Sequence, residues 1–162
     1  MGSSNKISGK KFRKMKSTSR LYAVQALFQM EHSSLSVDTV CEEFIEFRFG
    51  EADNDLKLVD GNQDFFKNLV SSAVEFQAFI DQMTDRALVE KWPIERIDPT
   101  LRALFRAAGA EMKALDTPAK VIIADYLSLS EAFYPDGKET KFVNAILDFM
   151  AREVKPEQFL DS

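Results

Sequence analysis

The side chains with the clearest chemical potential are cations at the start of the chain. Of 21 basic residues, seven lie in the first 20 positions, whereas all 26 acidic residues lie after them. The first 20 residues thus carry a formal +7, and since the whole chain is −5 the remainder carries −12. A basic arm on an acidic body is typical of a segment that binds a polyanion, although a solvated tail without a ligand would look the same. The seven are Lys6, Lys10, Lys11, Arg13, Lys14, Lys16 and Arg20.

Residues that could support catalysis or bind a metal are few and poorly placed. His32 and Cys41 are the only histidine and cysteine, and neither has partners at metal-ligand spacing. The six glycines are scattered, so no phosphate-binding loop is present. The acidic residues Glu42, Glu43 and Glu46 fit a solvated helix face better than a shielded carboxylate pair. These features predict a binding protein without a cofactor, rather than an enzyme.

The bulk composition indicates one helical domain. The chain has 162 residues, of which 45% are hydrophobic, enough for a single core. A lone cysteine cannot form an internal disulfide, so we expect a cytoplasmic location. No apolar run reaches the length of a membrane span, so we expect no membrane association.

Apolar residues recur at helical spacing along most of the chain, which predicts an all-α fold. We expect about seven helices in two small bundles that form one domain. The domain covers residues 18–155, with halves 18–90 and 91–155 joined near Trp92. Residues 1–17 lack periodicity and are expected to be a disordered basic arm, and residues 156–162 a loose tail. Helices are predicted at about 19–31, 37–49, 63–86, 99–115, 118–133 and 139–153.

The segment from Val121 to Phe133 is apolar nearly all the way round. Such a helix is expected to be buried on most sides by its neighbours. Thr117 is a candidate N-cap, and Pro118 suits the first helical position because its missing N–H has no partner there in any case.

Several segments resemble the NusB family of bacterial transcription antitermination factors. The resemblance covers about residues 19–152, and the segments occur in the family's order and spacing. There are departures: Ala124-Asp125 stands where the family usually has Asn-Glu, Ala145 where it usually has Gly, and the arm is mostly Lys rather than Arg. The segments are SRLYAVQALFQME, FFKNLVSSAVEFQAFID, WPIERI, LRALFRAAGAEM, TPAKVIIADYLSLSEAF and KFVNAILD.

The resemblance implies a factor that binds boxA RNA of nascent ribosomal RNA transcripts together with NusE, a small-subunit ribosomal protein. It also implies a place in the antitermination complex of RNA polymerase. Single-stranded RNA is bound by cations on phosphates and by aromatic platforms under bases. Phe142 is the candidate platform, although ordinary core packing is the alternative for it. The candidate RNA-binding residues are Lys10, Lys11, Arg13, Lys14, Lys16, Arg20, Tyr22, Gln25, Lys141 and Phe142.

Candidate residues for NusE docking are Phe28, Leu101, Arg102 and Arg106, where Phe28 and Leu101 could equally be core residues. A protein-interaction module that ignores RNA is the other function that the acidic body allows. The chain is expected to be a monomer or a homodimer.

Overall fold

The computed structural model describes residues 9–49, 61–91 and 97–160. Within these ranges the chain is helical and contains no strand, so the predicted all-α fold with about seven helices is confirmed. Trp92, the predicted junction, and Lys6 of the basic arm lie outside the described residues. The helices are α1 Gly9–Glu31, α2 Val37–Phe47, α3 Gln63–Glu75, α4 Gln77–Lys91, α5 Pro99–Ala114, α6 Ala119–Phe133 and α7 Thr140–Val154, followed by a 3₁₀ helix Pro156–Phe159.

Short polar side chains begin three of the helices. Ser36 Oγ accepts a hydrogen bond from the Thr39 N–H, 3.2 Å away, at the start of α2. Asn62 and Asp98 cap α3 and α5 in the same way. Each cap satisfies a backbone N–H that has no partner inside the helix, which stabilises the helix by about 1 kcal/mol. The predicted start of α5 at Asp98-Pro99 is therefore confirmed.

Helix α1 begins at Gly9, about ten residues before the predicted start. Residues 9–17 were expected to be disordered because they lack an apolar stripe. Their lysines, arginine and methionine are nonetheless good helix formers. The turn that follows them is held to the rest of the protein by hydrogen bonds of Ser17, Ser19 and Arg20. Ser19 is buried inside α1, where its hydroxyl donates to the Asn62 carbonyl and accepts from the Asn62 N–H.

The predicted third helix is two helices, α3 and α4, separated at Phe76. This residue has φ −103° and ψ 19°, and its N–H bonds back to the Ser72 and Val74 carbonyls. Periodicity concealed the break because Ile80 and Met83 beyond it are again buried. After the break α4 packs mainly against α5 and α7, so it joins the C-terminal group of helices. The predicted division into halves near Trp92 stays a prediction, since that residue lies outside the described ranges.

Helix α5 is the centre of the core. It packs against α1 and α3 on one side and against α4, α6 and α7 on the other. Gly109 allows a close approach of α4 and α7, because a Cβ there would lie 2.6 Å from Ile80 Cγ2 and 3.1 Å from Met150 Cε. The buried face of α5 includes Leu101, Leu104, Phe105, Ala108 and Met112.

Helix α6 is buried on one face only, and the expectation that neighbours surround it is wrong. Its buried residues are Ala119, Ile122, Tyr126 and Ser130, while Val121 is 46% exposed. Its main neighbours are α5 and α7, and α1 touches it only lightly, so no other described helix covers its outer face.

The start of α6 is capped from the end of the chain. The N-cap is Pro118 rather than the predicted Thr117, and it provides no side-chain hydrogen bond. Gln158 Oε1 accepts from the Ala119 N–H at 2.7 Å instead. The segment that was expected to be a loose tail thus includes a 3₁₀ helix that helps to fix the start of α6.

Candidate nucleic-acid interface

The N-terminal half of α1 presents the basic side chains on a regular helix. Lys10, Lys11, Arg13 and Lys14 are exposed, and Lys16 is half-buried. Because a helix places residues three and four apart on the same face, Arg13, Lys16 and the following turn share one side of α1. The described part of the predicted arm is therefore a helical array of cations with fixed spacing.

Lys16 lies between two aromatic rings. Its Nζ is 4.9 Å from the centroid of Phe12 and 5.2 Å from that of Phe65. Phe12 is 40% exposed, whereas Phe65 is nearly buried. Sequence reasoning missed both, since Phe12 lay in the presumed disordered arm and Phe65 was assigned no role. An exposed aromatic ring thus stands among the cations of α1.

Arg20 is buried and fully engaged within the protein, so its predicted role in RNA contact is not supported. Its side chain forms two hydrogen bonds with Glu111, at 2.8 and 2.6 Å, and one with Asp125 at 2.8 Å. Its exposure is 3%, and that of Glu111 is zero. Burial alone would lower the pKa of Arg20, but its hydrogen bonds and charge interaction with Glu111 outweigh that effect and raise it. Arg20 therefore holds α1 against α5 and α6.

Two more side chains complete this network. The Tyr126 hydroxyl donates to Glu111 Oε1 at 2.9 Å, and Ser17 Oγ donates to Asp125 Oδ1 at 2.9 Å. Burial, reinforced by the charge of Glu111, raises the pKa of Tyr126 well above its ordinary value. The tyrosine thus stays neutral and acts as a donor. Asp125, one of the departures from the family pattern, is the residue that joins α6 to two positions of α1.

A groove runs between the outer face of α6 and the same side of α1; we call it the α1–α6 groove. Its volume is about 800 Å³. Residues of α1 and α6 at helical spacing form its walls, and Phe65 and the α5–α6 connection complete it. It is lined by Arg13, Lys16, Ser17, Arg20, Phe65, Leu115, Asp116, Thr117, Pro118, Lys120, Val121, Ala124, Asp125 and Ser128.

Tyr22 and Gln25 do not extend the basic surface. Tyr22 is 7% exposed and packs against Phe44 and Phe49, with ring centroids 6.2 and 5.1 Å away. Gln25 is half-buried and accepts a hydrogen bond from Arg48 at 3.3 Å. Tyr22 is therefore a core residue, and its predicted RNA contact is not supported.

The start of α7 separates the two residues that were predicted there to contact RNA. Lys141 is exposed, whereas Phe142 is 5% exposed and packs edge-on against Phe105, with centroids 6.2 Å apart. Phe142 therefore packs in the core, the alternative given for it from the sequence, and its contact with RNA stays a prediction. Helix α7 buries a broad face that includes Phe142 beside Val143 and Ile146, wider than the stripe expected from periodicity.

Phe28 stands at a second, largely apolar cavity; we call it the Phe28 cavity. Phe28 is 40% exposed and its ring lies 4.7 Å from that of His32. The cavity has a volume of about 520 Å³. Leu101, by contrast, is 1% exposed, which agrees with the core alternative given for it from the sequence. The cavity is lined by Val24, Gln25, Phe28, Gln29, His32, Ser33, Phe44, Arg48, Thr100 and Phe133.

Arg102 and Arg106 are tied to acidic neighbours. Arg106 forms two hydrogen bonds with Asp81, at 3.0 and 2.8 Å, and one with Glu31 at 3.0 Å. Arg102 Nε lies 3.4 Å from the same Glu31 carboxylate. Hydrogen bonding to Asp81 is the main reason that the pKa of Arg106 is raised. Both arginines remain candidates for partner contact, but docking must compete with these ion pairs.

The described ranges contain neither a metal-binding cluster nor a membrane-spanning helix. In residues 9–49, 61–91 and 97–160, no cluster of His, Cys, Asp and Glu is arranged to hold a metal ion. None of the described helices combines the length and apolar character needed to cross a membrane.

Comparisons with known proteins agree on one family. The family model described as "NusB family" matches residues 17–152. The transcription antitermination protein NusB of Maricaulis maris (strain MCS10) is 42% identical over 147 residues, 90% of this chain and 91% of that protein. NusB of Brucella abortus (strain S19) is 41% identical over 139 residues, 85% of this chain and 81% of that protein.

A solved structure supports the same conclusion. The structure of T. maritima NusB superimposes with a TM-score of 0.68 at 26% sequence identity, covering 88% of this chain and 95% of that one. NusB proteins are non-enzymatic factors, so the prediction of a binding protein rather than an enzyme is confirmed. With a family match that covers most of its length and close relatives that share one name, the chain belongs to the NusB family of transcription antitermination proteins.

Proposed function

We propose that this chain binds boxA RNA of nascent ribosomal RNA transcripts together with NusE, and that it acts in the antitermination complex of RNA polymerase in the cytoplasm. The observation that carries the RNA part is the exposed cationic half of α1, with Lys10, Lys11, Arg13 and Lys14 in its first two turns. The remainder of the chain carries a net charge of −12, which favours RNA binding at α1 over the rest of the surface.

The helical form of this segment matters for affinity. A disordered arm would lose conformational entropy when it binds, whereas a preformed helix has already done so on folding. Each phosphate that a cation contacts releases bound counterions, so RNA affinity should decrease as the salt concentration increases. For single strands, the slope of log K against log salt concentration is about −0.7 per phosphate contact. The exposed ring of Phe12 adds a surface on which a base can stack.

The Phe28 cavity is the surface proposed for NusE. An exposed aromatic ring beside an apolar cavity is typical of a protein-binding hot spot. Phe28 and Phe133 supply apolar surface, while Gln29 and His32 supply polar groups at the rim. The cavity is distinct from the α1–α6 groove, since the two share no lining residue. None of the four exposed cations of α1 lines the Phe28 cavity, so the surfaces proposed for RNA and NusE do not overlap.

Fluorescence anisotropy with labelled boxA RNA tests the RNA part. The Lys14→Gln variant removes one exposed charge from α1, and Lys67→Gln removes one exposed charge from α3 as its matched control. Lys14→Gln should weaken binding several-fold at low salt, and Lys67→Gln should have a smaller effect. Equal effects of the two variants would mean that α1 is not the RNA-binding surface.

Titration with purified NusE tests the partner surface. Phe28→Ser should weaken NusE binding at least tenfold while leaving RNA affinity without NusE unchanged, because truncation of a hot-spot residue costs about 2 kcal/mol or more. Phe47→Ser is the control, since Phe47 on α2 is 60% exposed and lines neither cavity. If Phe28→Ser binds NusE as tightly as wild type, this surface is not the docking site.

Light scattering of the free protein would determine whether it is a monomer or a homodimer.

A further inference from the structure

The α1–α6 groove has the dimensions of a specific ligand site. Its volume of about 800 Å³ lies in the roughly 300–1,000 Å³ range of small-molecule pockets. It exists because the outer face of α6 lacks a covering helix, which leaves Val121 46% exposed. The sequence could not indicate this groove, because apolar residues on the face of a helix are normally expected to lie in the core.

Charge at the groove favours an anionic occupant. Four cations and two carboxylates line it, and Arg20 is already engaged by Glu111 and Asp125. None of the ion pairs found among the described residues involves Arg13, Lys16 or Lys120. Three cations thus face the groove against the single exposed carboxylate of Asp116. Such a balance attracts phosphate and repels an acidic peptide.

The rest of the lining suits a nucleobase. Val121, Leu115 and Pro118 give an apolar surface, and Phe65 places an aromatic ring beside Lys16. The hydroxyls of Thr117 and Ser128 line the same space. Protein sites for unpaired bases combine apolar or aromatic surfaces with a few polar groups that reach the base edge.

The two walls are held at a fixed separation. Arg20 and Ser17 on α1 both bond to Asp125 on α6, at 2.8 and 2.9 Å. Arg20 is bound in turn by the buried Glu111. A site that exists before binding needs no reorganisation when the ligand arrives, which favours affinity.

We propose that the α1–α6 groove binds one unpaired nucleotide of the RNA, with the base against Val121 and the adjoining phosphates at Arg13, Lys16 and Lys120. This proposal rests on the RNA-binding function proposed above, and it assigns to this groove a base contact beside the phosphate contacts of α1. It also places α6 in the RNA-binding surface.

The test fills the groove without changing its charge. Ala124→Trp puts a large side chain at an exposed position of the groove wall, and Ala132→Trp puts the same side chain at an exposed position of α6 outside the groove. Affinity for labelled boxA RNA is measured by anisotropy across a salt series, without NusE. Ala124→Trp should weaken binding about tenfold, the usual order for one base contact, with an unchanged salt slope. Ala132→Trp should match wild type.

Three results would overturn the proposal in distinguishable ways. If Ala124→Trp binds as wild type does while Lys14→Gln is weakened, RNA binds to α1 but no base enters the groove. If Ala124→Trp weakens only NusE binding, the groove accepts a peptide. If wild type has no affinity for the RNA, the proposed function fails as well. Should Ala124→Trp fail to fold, Lys120→Gln replaces it as the test variant. The slope of log K against log salt should then become shallower by about 0.7, because one phosphate contact is lost. An unchanged slope contradicts the proposal.

Discussion

The buried ion pair between Arg20 and Glu111 gives the sharpest prediction about stability. Arg20→Met removes the guanidinium but keeps much of the apolar volume. Glu111, which has no exposed surface, then retains only the hydrogen bond from the Tyr126 hydroxyl. Loss of one partner of a buried pair costs about 3–5 kcal/mol, because the other charge stays desolvated and uncompensated. The lost bond to Asp125 adds little, since that carboxylate is 23% exposed and water can replace the arginine.

The same reasoning predicts that removing the whole polar group is cheaper than removing one member. In the triple variant Arg20→Met, Glu111→Leu, Tyr126→Phe no buried charge or hydroxyl of the group is left without a partner. Replacement of a buried ion pair by apolar residues is often neutral or stabilising. The triple variant should therefore be more stable than Arg20→Met alone, by about 2 kcal/mol or more.

Urea unfolding followed by circular dichroism at 222 nm measures both quantities. A loss of 3–5 kcal/mol is large against the roughly 5–15 kcal/mol stability of a domain, so the midpoint should move clearly with little change in slope. If Arg20→Met lowers the free energy of unfolding by less than about 1 kcal/mol, the reasoning is refuted, since a buried charge without a partner destabilises the fold by more than that. A triple variant whose loss equals the sum of the single losses would refute it as well.

Three further predictions concern packing and pH. Phe142→Ala should destabilise the fold by ~3–5 kcal/mol in urea unfolding; an unchanged midpoint would mean that the ring is not in the core. Gly109→Ala should destabilise as well, although alanine favours helix by about 1 kcal/mol, because the added Cβ would lie 2.6 Å from Ile80; a higher melting temperature would contradict the close packing. Burial, with the hydrogen bond to Asp98, raises the pKa of Tyr134. The contribution of Tyr134 to the free energy of unfolding is therefore fully present at neutral pH. It is lost as the pH rises above about 10, because the tyrosine of the unfolded chain ionises first. Tyr134→Phe should flatten the decrease in unfolding free energy above that pH, and an identical pH profile would remove Tyr134 as its cause.

The sequence predicted the elements whose causes are local. The N-cap Asp98 and the apolar spacing along α5 are both properties of adjacent residues, and helix α5 was located to within one residue at its C-terminal end. The break at Phe76 was missed because the apolar period continues through it into α4. Periodicity reports which residues are buried, not whether the helix axis changes direction.

The candidate site was predicted in charge but not in geometry. Lys10, Lys11, Arg13 and Lys14 are exposed, as a basic segment without acidic neighbours must be. Arg20 belongs to the same run of cations, and only the tertiary structure reveals that a buried carboxylate 91 positions away engages it.

Sequence reasoning assigned a role in base stacking to Phe142 rather than to Phe12 for a similar reason. Phe142 was assigned to RNA and Phe12 to a disordered arm, but the first is buried and the second is 40% exposed. Whether a ring at a helix start is covered depends on which helix lies across it. No local pattern in the sequence contains that information.

The salt dependence of RNA affinity tests the central claim most directly, namely that the basic half of α1 contacts the phosphates. The slope of log K against log salt is measured for wild type and for the triple variant Lys10→Gln, Lys11→Gln, Lys14→Gln. We predict that the slope of the triple variant is shallower by about 2, since three contacts at roughly 0.7 each are lost. Equal slopes for the two proteins would contradict the account, because RNA would then be bound elsewhere.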